Sequence, residues 1–159
     1  MANGDIQETK TTKPSVRYVD ASGQIAGRLC SKIAKQLLNG ERVIVINSEK
    51  TLVSGNRKSV MQSWFEYLKI ASVVHPKHGP FHQRTPDGII TRMVRGMVPR
   101  RKPKGELAMK RLRVYVGVPN EYAKVKFQRF EDTAATKPPA YYVSISEIAK
   151  RIGWKRGAG

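Results

Sequence analysis

The chain has 159 residues, enough for one domain of ordinary size plus tails, and 40% of them are hydrophobic, which excludes a wholly disordered basic tail. Thirty Lys and Arg against 12 Asp and Glu give a net charge of +18, a self-repulsion that a polyanion would relieve. No apolar run reaches the roughly 20 residues of a membrane span, the N-terminus lacks the pattern of a signal peptide, and the single cysteine, Cys30, rules out an internal disulfide and fits a reducing compartment.

Residues 1–15 are polar and mixed in charge, and are expected to form a flexible arm. Val16-Arg17-Tyr18-Val19-Asp20 reads as a strand, and Ser22-Gly23-Gln24 as a turn. Ala26, Leu29, Cys30, Ile33 and Leu37 fall at helical spacing, and Asn39-Gly40 ends that helix. Arg42 to Asn47 contains four β-branched residues in a row, the texture of a parallel strand buried on both faces. Strand, helix and strand make a βαβ unit. Ser54 is the predicted cap of a second helix with Met61, Trp64, Phe65 and Leu68 on its apolar stripe.

Residues 72–86 read as a loop that carries all three histidines. Thr85-Pro86-Asp87 has the composition of a helix start, and Ile89, Ile90, Met93, Val94 and Met97 form its inner side. Pro99 stops this helix. Arg100 to Gly105 is a basic linker, followed by a short helix over 106–111 and a strand with Leu112, Val114 and Val116 on one side. Past Gly117 the composition predicts an extended basic tail, closed by a small helix with the capping box Ser144-x-x-Glu147. The division that follows is an arm over 1–15, an α/β core over 16–117 and a tail over 118–159.

Residues 92–113 concentrate Arg92, Arg95, Arg100, Arg101, Lys102, Lys104, Lys110, Arg111 and Arg113, with Glu106 the only acid among them. A solvated helix usually mixes signs, whereas this stretch keeps apolar positions for packing and one sign of charge. Arg and Lys reach phosphate oxygens, and Arg adds a bidentate fork. RNA is favoured over DNA, because helix-turn-helix, basic-zipper and zinc-finger patterns are missing. The predicted strongest contacts are Arg95, Arg100, Arg101, Lys102 and Lys104. Arg84, Arg92, Lys110 and Arg111 follow, then Lys58 and Lys77, with Arg28 able to reach a phosphate from the first helix start.

Several motifs have rival readings. Gly23-x-x-x-Gly27 sits where a phosphate-binding loop would, but lacks the Walker ending and the third dinucleotide glycine, so a tight βα turn with close helix packing is preferred. His75, His78 and His82 lack the fourth ligand and the cysteines of a structural zinc site, so RNA contact or plain loop chemistry is preferred to a metal. Cys30 on an apolar stripe reads as a small hydrophobe. Trp64 and Phe65 read as core. Tyr141, Tyr142 and Trp154 could stack on bases or dock on a neighbour.

Val94-Arg95-Gly96-Met97-Val98-Pro99, Gly105-Glu106 and Leu112-Arg113-Val114-Tyr115-Val116-Gly117 together resemble the signature of the large-subunit ribosomal protein thirteen family. The run from Asp20 to Leu29, Asn47-Ser48-Glu49 and Ser54-Gly55-Asn56 resemble its other motifs. Gly79-Pro80-Phe81-His82, Arg84-Thr85-Pro86 and Gly153-Trp154-Lys155 resemble its archaeal and eukaryotic branch. The resemblance covers residues 16–117 well and the tail loosely. It implies a three-layer α/β fold, a four-stranded mostly parallel sheet with helices on both faces. It also implies binding to large-subunit ribosomal RNA beside other ribosomal proteins, in the cytoplasmic ribosome. No catalytic residue, cofactor, metal or small-molecule substrate is implied. A nucleotide-binding enzyme acting on RNA and an RNA-binding regulator outside the ribosome are the competing readings. No base, nucleophile or metal site can be assembled for the enzyme.

Overall fold

The computed structural model describes residues 15–155; the expected N-terminal arm lies almost wholly outside them. In chain order the elements are β1 (Val16–Asp20), α1 (Ala26–Leu38), β2 (Arg42–Ile46), β3 (Leu52–Ser54), α2 (Arg57–Lys69), α3 (Pro86–Met97), α4 (Pro103–Lys110), β4 (Leu112–Val114), β5 (Tyr142–Ser144) and α5 (Ile145–Arg151). Strands β1, β2 and β4 form a parallel sheet in the order β1-β2-β4, with Val19 beside Val45 and Val45 beside Val114. The β-branched run of β2 occupies the centre, and Val43, Ile44, Val45 and Ile46 are all buried, as a strand covered on both faces requires.

The periodic stripe of α1 buries Leu29, Cys30, Ile33 and Leu37 completely. These residues pack with Val19, Val43, Val45 and Leu112 of the sheet and with Ile90 and Val94 of α3. Gly40, at φ +95°, supplies the left-handed turn after α1 that other residues adopt at a cost.

The sheet departs from expectation in two respects. Among the described residues it has three strands, not four. The place beyond β1 is held by one residue: the Gln128 N–H donates to the Tyr18 carbonyl at 2.8 Å, and the Asp20 N–H donates to the Gln128 carbonyl at 3.0 Å. A strand cannot extend there, because the chain bends at once into a 3-10 turn at Glu131–Thr133. Nor, among the described residues, does a helix lie on the face that carries Tyr18. Its ring meets Tyr122 at 5.8 Å and Phe127 at 6.1 Å, so aromatic side chains from the 120–128 segment do the covering. A second, antiparallel sheet joins β3 to β5, with Val53 opposite Val143.

Smaller differences follow from local chemistry. The cap of α2 is Asn56, which accepts from the Lys58 N–H at 3.0 Å, and not Ser54, which ends β3. Phe65 and Met97, expected inside, are 42% and 44% exposed. Helix α4 begins at Pro103, because proline at the first helical position loses no hydrogen bond. β4 stops before Val116, since the chain turns at Gly117, φ +71°. Gly23 is needed for its φ of +70°, but a Cβ on Gly27 would meet open space, so close helix packing is not what that glycine provides.

The segment after Gly117 is not a loose appendage throughout. Ile145, Ile148 and Ala149 of α5 are fully buried, and Ile145 and Ala149 join the main core. The Ser144 hydroxyl accepts from the Glu147 N–H at 3.2 Å, the N-terminal half of the expected capping box. Arg57 of α2 pairs with the Glu147 carboxylate, tying α2 to α5.

Candidate nucleic-acid interface

The C-terminal ends of the parallel strands are joined by side chains from the motifs noted above. Asp20, only 7% exposed at the end of β1, accepts from the Ser22 N–H at 3.1 Å and the Asn47 amide at 2.9 Å. Its other oxygen accepts from Arg129 Nε at 2.8 Å, which fastens the Gln128 bridge. Asn47 takes φ 54°, a left-handed conformation that Asn tolerates better than most residues. The Glu49 carboxylate accepts from the Gly117 N–H at 2.9 Å, linking the end of β4 to the turn after β2.

Burial alone would raise the pKa of Asp20, but the hydrogen bonds from Asn47, Arg129 and Ser22 outweigh it and hold the group at about 2. A carboxylate depressed in the folded state stabilises the fold above its unfolded value, near 4, and that contribution is lost as pH falls toward 2. Asp20→Asn is therefore expected to lower unfolding stability by about 1–3 kcal/mol at pH 6, with the deficit shrinking below pH 4. Urea unfolding of both proteins from pH 6 to 2.5 checks this. A deficit that does not change with pH would contradict it.

The predicted RNA-contacting residues divide into two groups. Arg28, Lys58, Lys77, Arg84, Arg95, Arg100, Arg101, Lys102, Lys104 and Lys110 are exposed, and Arg111 is half-buried at the end of α4. None of them forms an ion pair among the described residues, where the acids pair instead with Arg17, Lys32, Arg57 and Arg129. Arg92 differs. It donates to the Phe81 carbonyl at 2.6 Å, and its guanidinium lies 5.6 Å from the Tyr67 ring centre, so it pins the histidine loop to α2.

The histidines also separate. His82 Nε2 lies 2.7 Å from the Ile70 carbonyl, with its ring edge-on to Tyr67 at 4.3 Å, and closes the base of the loop. His75 and His78 remain at the exposed tip, 5.9 Å apart. Val73, Val74 and Phe81 of the same loop are exposed as well. Cys30 is buried in the core, and desolvation pushes its thiol up to about 12, which leaves it no nucleophilic role. Tyr142 hydroxyl accepts from the Thr136 and Lys137 N–H groups, so this ring anchors a turn. Trp154 packs on the main core, whereas Tyr141 stays exposed.

The densest cluster of cations is built on a hydrogen-bonded corner. The Lys102 N–H donates to the Pro99 carbonyl at 2.9 Å, and the Gly105 N–H donates to the Lys102 carbonyl at 2.9 Å. A Cβ on Gly105 would overlap the Pro99 carbonyl and lie 3.0 Å from the Arg100 nitrogen, so only glycine lets α4 approach the end of α3 this closely. The buried anchors Val98 and Ala108 flank the turn. Arg100, Arg101 and Lys102 are thereby held outward on a closed turn, with Arg95 and Lys104 on the adjoining helices.

Fold and surface together define a basic α/β protein whose exposed corner carries cations without ion pairs among the described residues. The family model described as Ribosomal protein L13 matches residues 15–121. The large ribosomal subunit protein uL13 of Aeropyrum pernix is 42% identical over 87% of this chain and 90% of its own length. The protein of the same name from Archaeoglobus fulgidus is 39% identical over 92% and 93%, and that from Methanococcoides burtonii 39% over 86% and 97%. The chain belongs to the ribosomal protein L13 family.

Proposed function

We propose that this chain is a structural, non-enzymatic constituent of the large ribosomal subunit in the cytoplasm, where it binds large-subunit ribosomal RNA and adjoins other ribosomal proteins. Membership of the family and the names of the archaeal relatives support the assignment. The observation that carries the RNA-contact reading is the unpaired, outward-held corner of Arg100, Arg101 and Lys102 on a turn closed by Gly105. A surface already ordered before binding loses little conformational entropy when phosphates arrive. Arg95, Lys104, Lys110 and Arg111 extend it along α3 and α4, and Arg28, Lys58, Lys77 and Arg84 add contacts elsewhere. Arg92 holds the histidine loop to α2 and keeps further donors for the RNA. All of these residues fall within 16–117, the proposed RNA-binding core, with the segment from 118 onward strapping the sheet edge. The mechanism is phosphate neutralisation and shape fit, without reading of base sequence at the corner.

Sedimentation of a cell lysate tests the assignment. Nearly all of the chain is expected to travel with large subunits at physiological salt, and a mostly free pool would overturn it. No helix among the described residues is long and apolar enough to cross a membrane.

A further inference from the structure

Two adjoining recesses between α2, the histidine loop and α3 are not used by the corner described above. The first, about 330 Å³, is walled by Trp64, Tyr67, Ile89 and Met93, with Gln83 and Arg92 at its edge. The second, about 280 Å³, shares Gln83 and Arg92 and adds Asp87, Thr91 and Arg95. Trp64 and Tyr67 stand edge-on at 5.9 Å and 88°, so their faces are turned to different directions. Arg92 spends one donor on the Phe81 carbonyl, and a guanidinium has five. Among the described residues the Asp87 carboxylate forms no ion pair.

The chemistry changes across the pair, from an aromatic and apolar chamber to one with two arginines and a carboxylate. A nucleotide has the same division. We propose that the two recesses together receive a single ribonucleotide extruded from the RNA partner. Its base enters the chamber of Trp64 and Tyr67, with the Gln83 amide facing the base edge. Its phosphate meets Arg95 and the unused edge of Arg92, and its 2′-hydroxyl donates to Asp87. RNA-binding proteins commonly hold unstacked bases on aromatic and arginine planes, and the 2′-hydroxyl is both donor and acceptor. An apolar side chain of a neighbouring protein would fill the first recess but leave Arg95 and Asp87 unmatched. The inference rests on the RNA-binding reading and adds a base-sized contact to it.

Ser63 lines the first recess from the exposed side of α2, so Ser63→Phe fills it without entering the core. Affinity of the full chain for deproteinised large-subunit RNA, measured by filter binding across a salt series, is the readout. Loss of the seated nucleotide is expected to weaken binding about 5- to 100-fold and to flatten the salt slope by no more than about 1, because at most this one phosphate contact is released with the stacked base. Ser63→Leu should show a smaller loss in the same direction, with both variants melting within a degree or two of the parent. Equal affinity of parent and variants would overturn the nucleotide site alone. Failure of the parent itself to bind this RNA would overturn the RNA reading. Unchanged RNA affinity combined with poor incorporation into reconstituted subunits would assign the recess to a protein side chain, and the proposal would fall.

Discussion

Replacing Arg100, Arg101 and Lys102 together with alanine is expected to weaken binding to large-subunit RNA by about 10- to 100-fold near physiological salt, and to flatten the dependence of affinity on salt. Each phosphate contact releases condensed counterions, so log affinity falls against log salt with a slope of about −0.7 to −0.9 per contact, depending on whether the RNA is single-stranded or duplex. Removal of three contacts should therefore reduce the slope by about 2 to 3. The side chains are exposed and free of ion pairs among the described residues, so the fold should hardly notice the change. Removing cations from a chain at +18 should, if anything, relieve self-repulsion. Filter binding at several salt concentrations decides the matter. A loss of affinity with an unaltered slope would mean that the trio acts on something other than phosphate.

A single methyl group at Gly105 is expected to do as much damage by a different route. Gly105→Ala puts a Cβ inside the contact distance of the Pro99 carbonyl carbon and oxygen, and both are backbone atoms that cannot rotate aside. Either α4 moves away from the end of α3, or the turn at Pro99–Lys102 opens. Overpacking of this kind costs about 1–3 kcal/mol, and the upper end is expected here because the obstacle is main chain on a helix anchored by Ala108 and Val98. For a chain of this size that is about 5–10 °C in melting temperature. RNA affinity should fall too, because the cations on the corner would no longer be held in one arrangement. The parallel substitution Gly27→Ala is the control: Gly27 is the second residue of α1 and a Cβ there meets open space, so little change or a small gain in stability is expected. Calorimetric melting of both variants separates them. Equal melting temperatures for Gly105→Ala and the parent would show that the corner yields easily, and the rigid-platform argument would fail.

Helix α1 and strand β2 could be drawn from the linear chain with little loss. Their burial pattern is local in origin: a 3.6-residue stripe in one case and a run of β-branched residues in the other, each with a glycine or asparagine marking its end. The start of α3 at Thr85-Pro86-Asp87 and the cap at Ser144 were legible for the same reason. Arg95 and the corner cations were legible because one sign of charge in a packed stretch needs no coordinates to be noticed.

Other features had no local signal. Arg92 and Arg95 lie one helical turn apart in a basic stretch, yet Arg92 is half-buried and held by the Phe81 carbonyl and the Tyr67 ring while Arg95 stays exposed. Trp64 reads as core by spacing and does pack against the core, but its half-buried ring also walls a recess that spacing does not show. The pairing of β3 with β5 joins residues about 90 positions apart, and the Asp20–Arg129 contact more than 100. Three-residue strands carry almost no periodicity, and a buried acid declares itself only when its partners arrive.

Composition and periodicity by themselves determined that this is a folded, strongly basic α/β protein, where its main helices run and which segment carries the exposed cations. They could do so because helix formation, strand burial and net charge depend on residues near one another in the chain. The tertiary structure alone decided that the sheet has three strands among the described residues, that segment 120–130 covers its face and edge, that Gly105 has no room for a side chain while Gly27 has, and which arginine holds the histidine loop. Those outcomes depend on distances between residues remote in sequence, and such distances exist only once the chain has closed on itself.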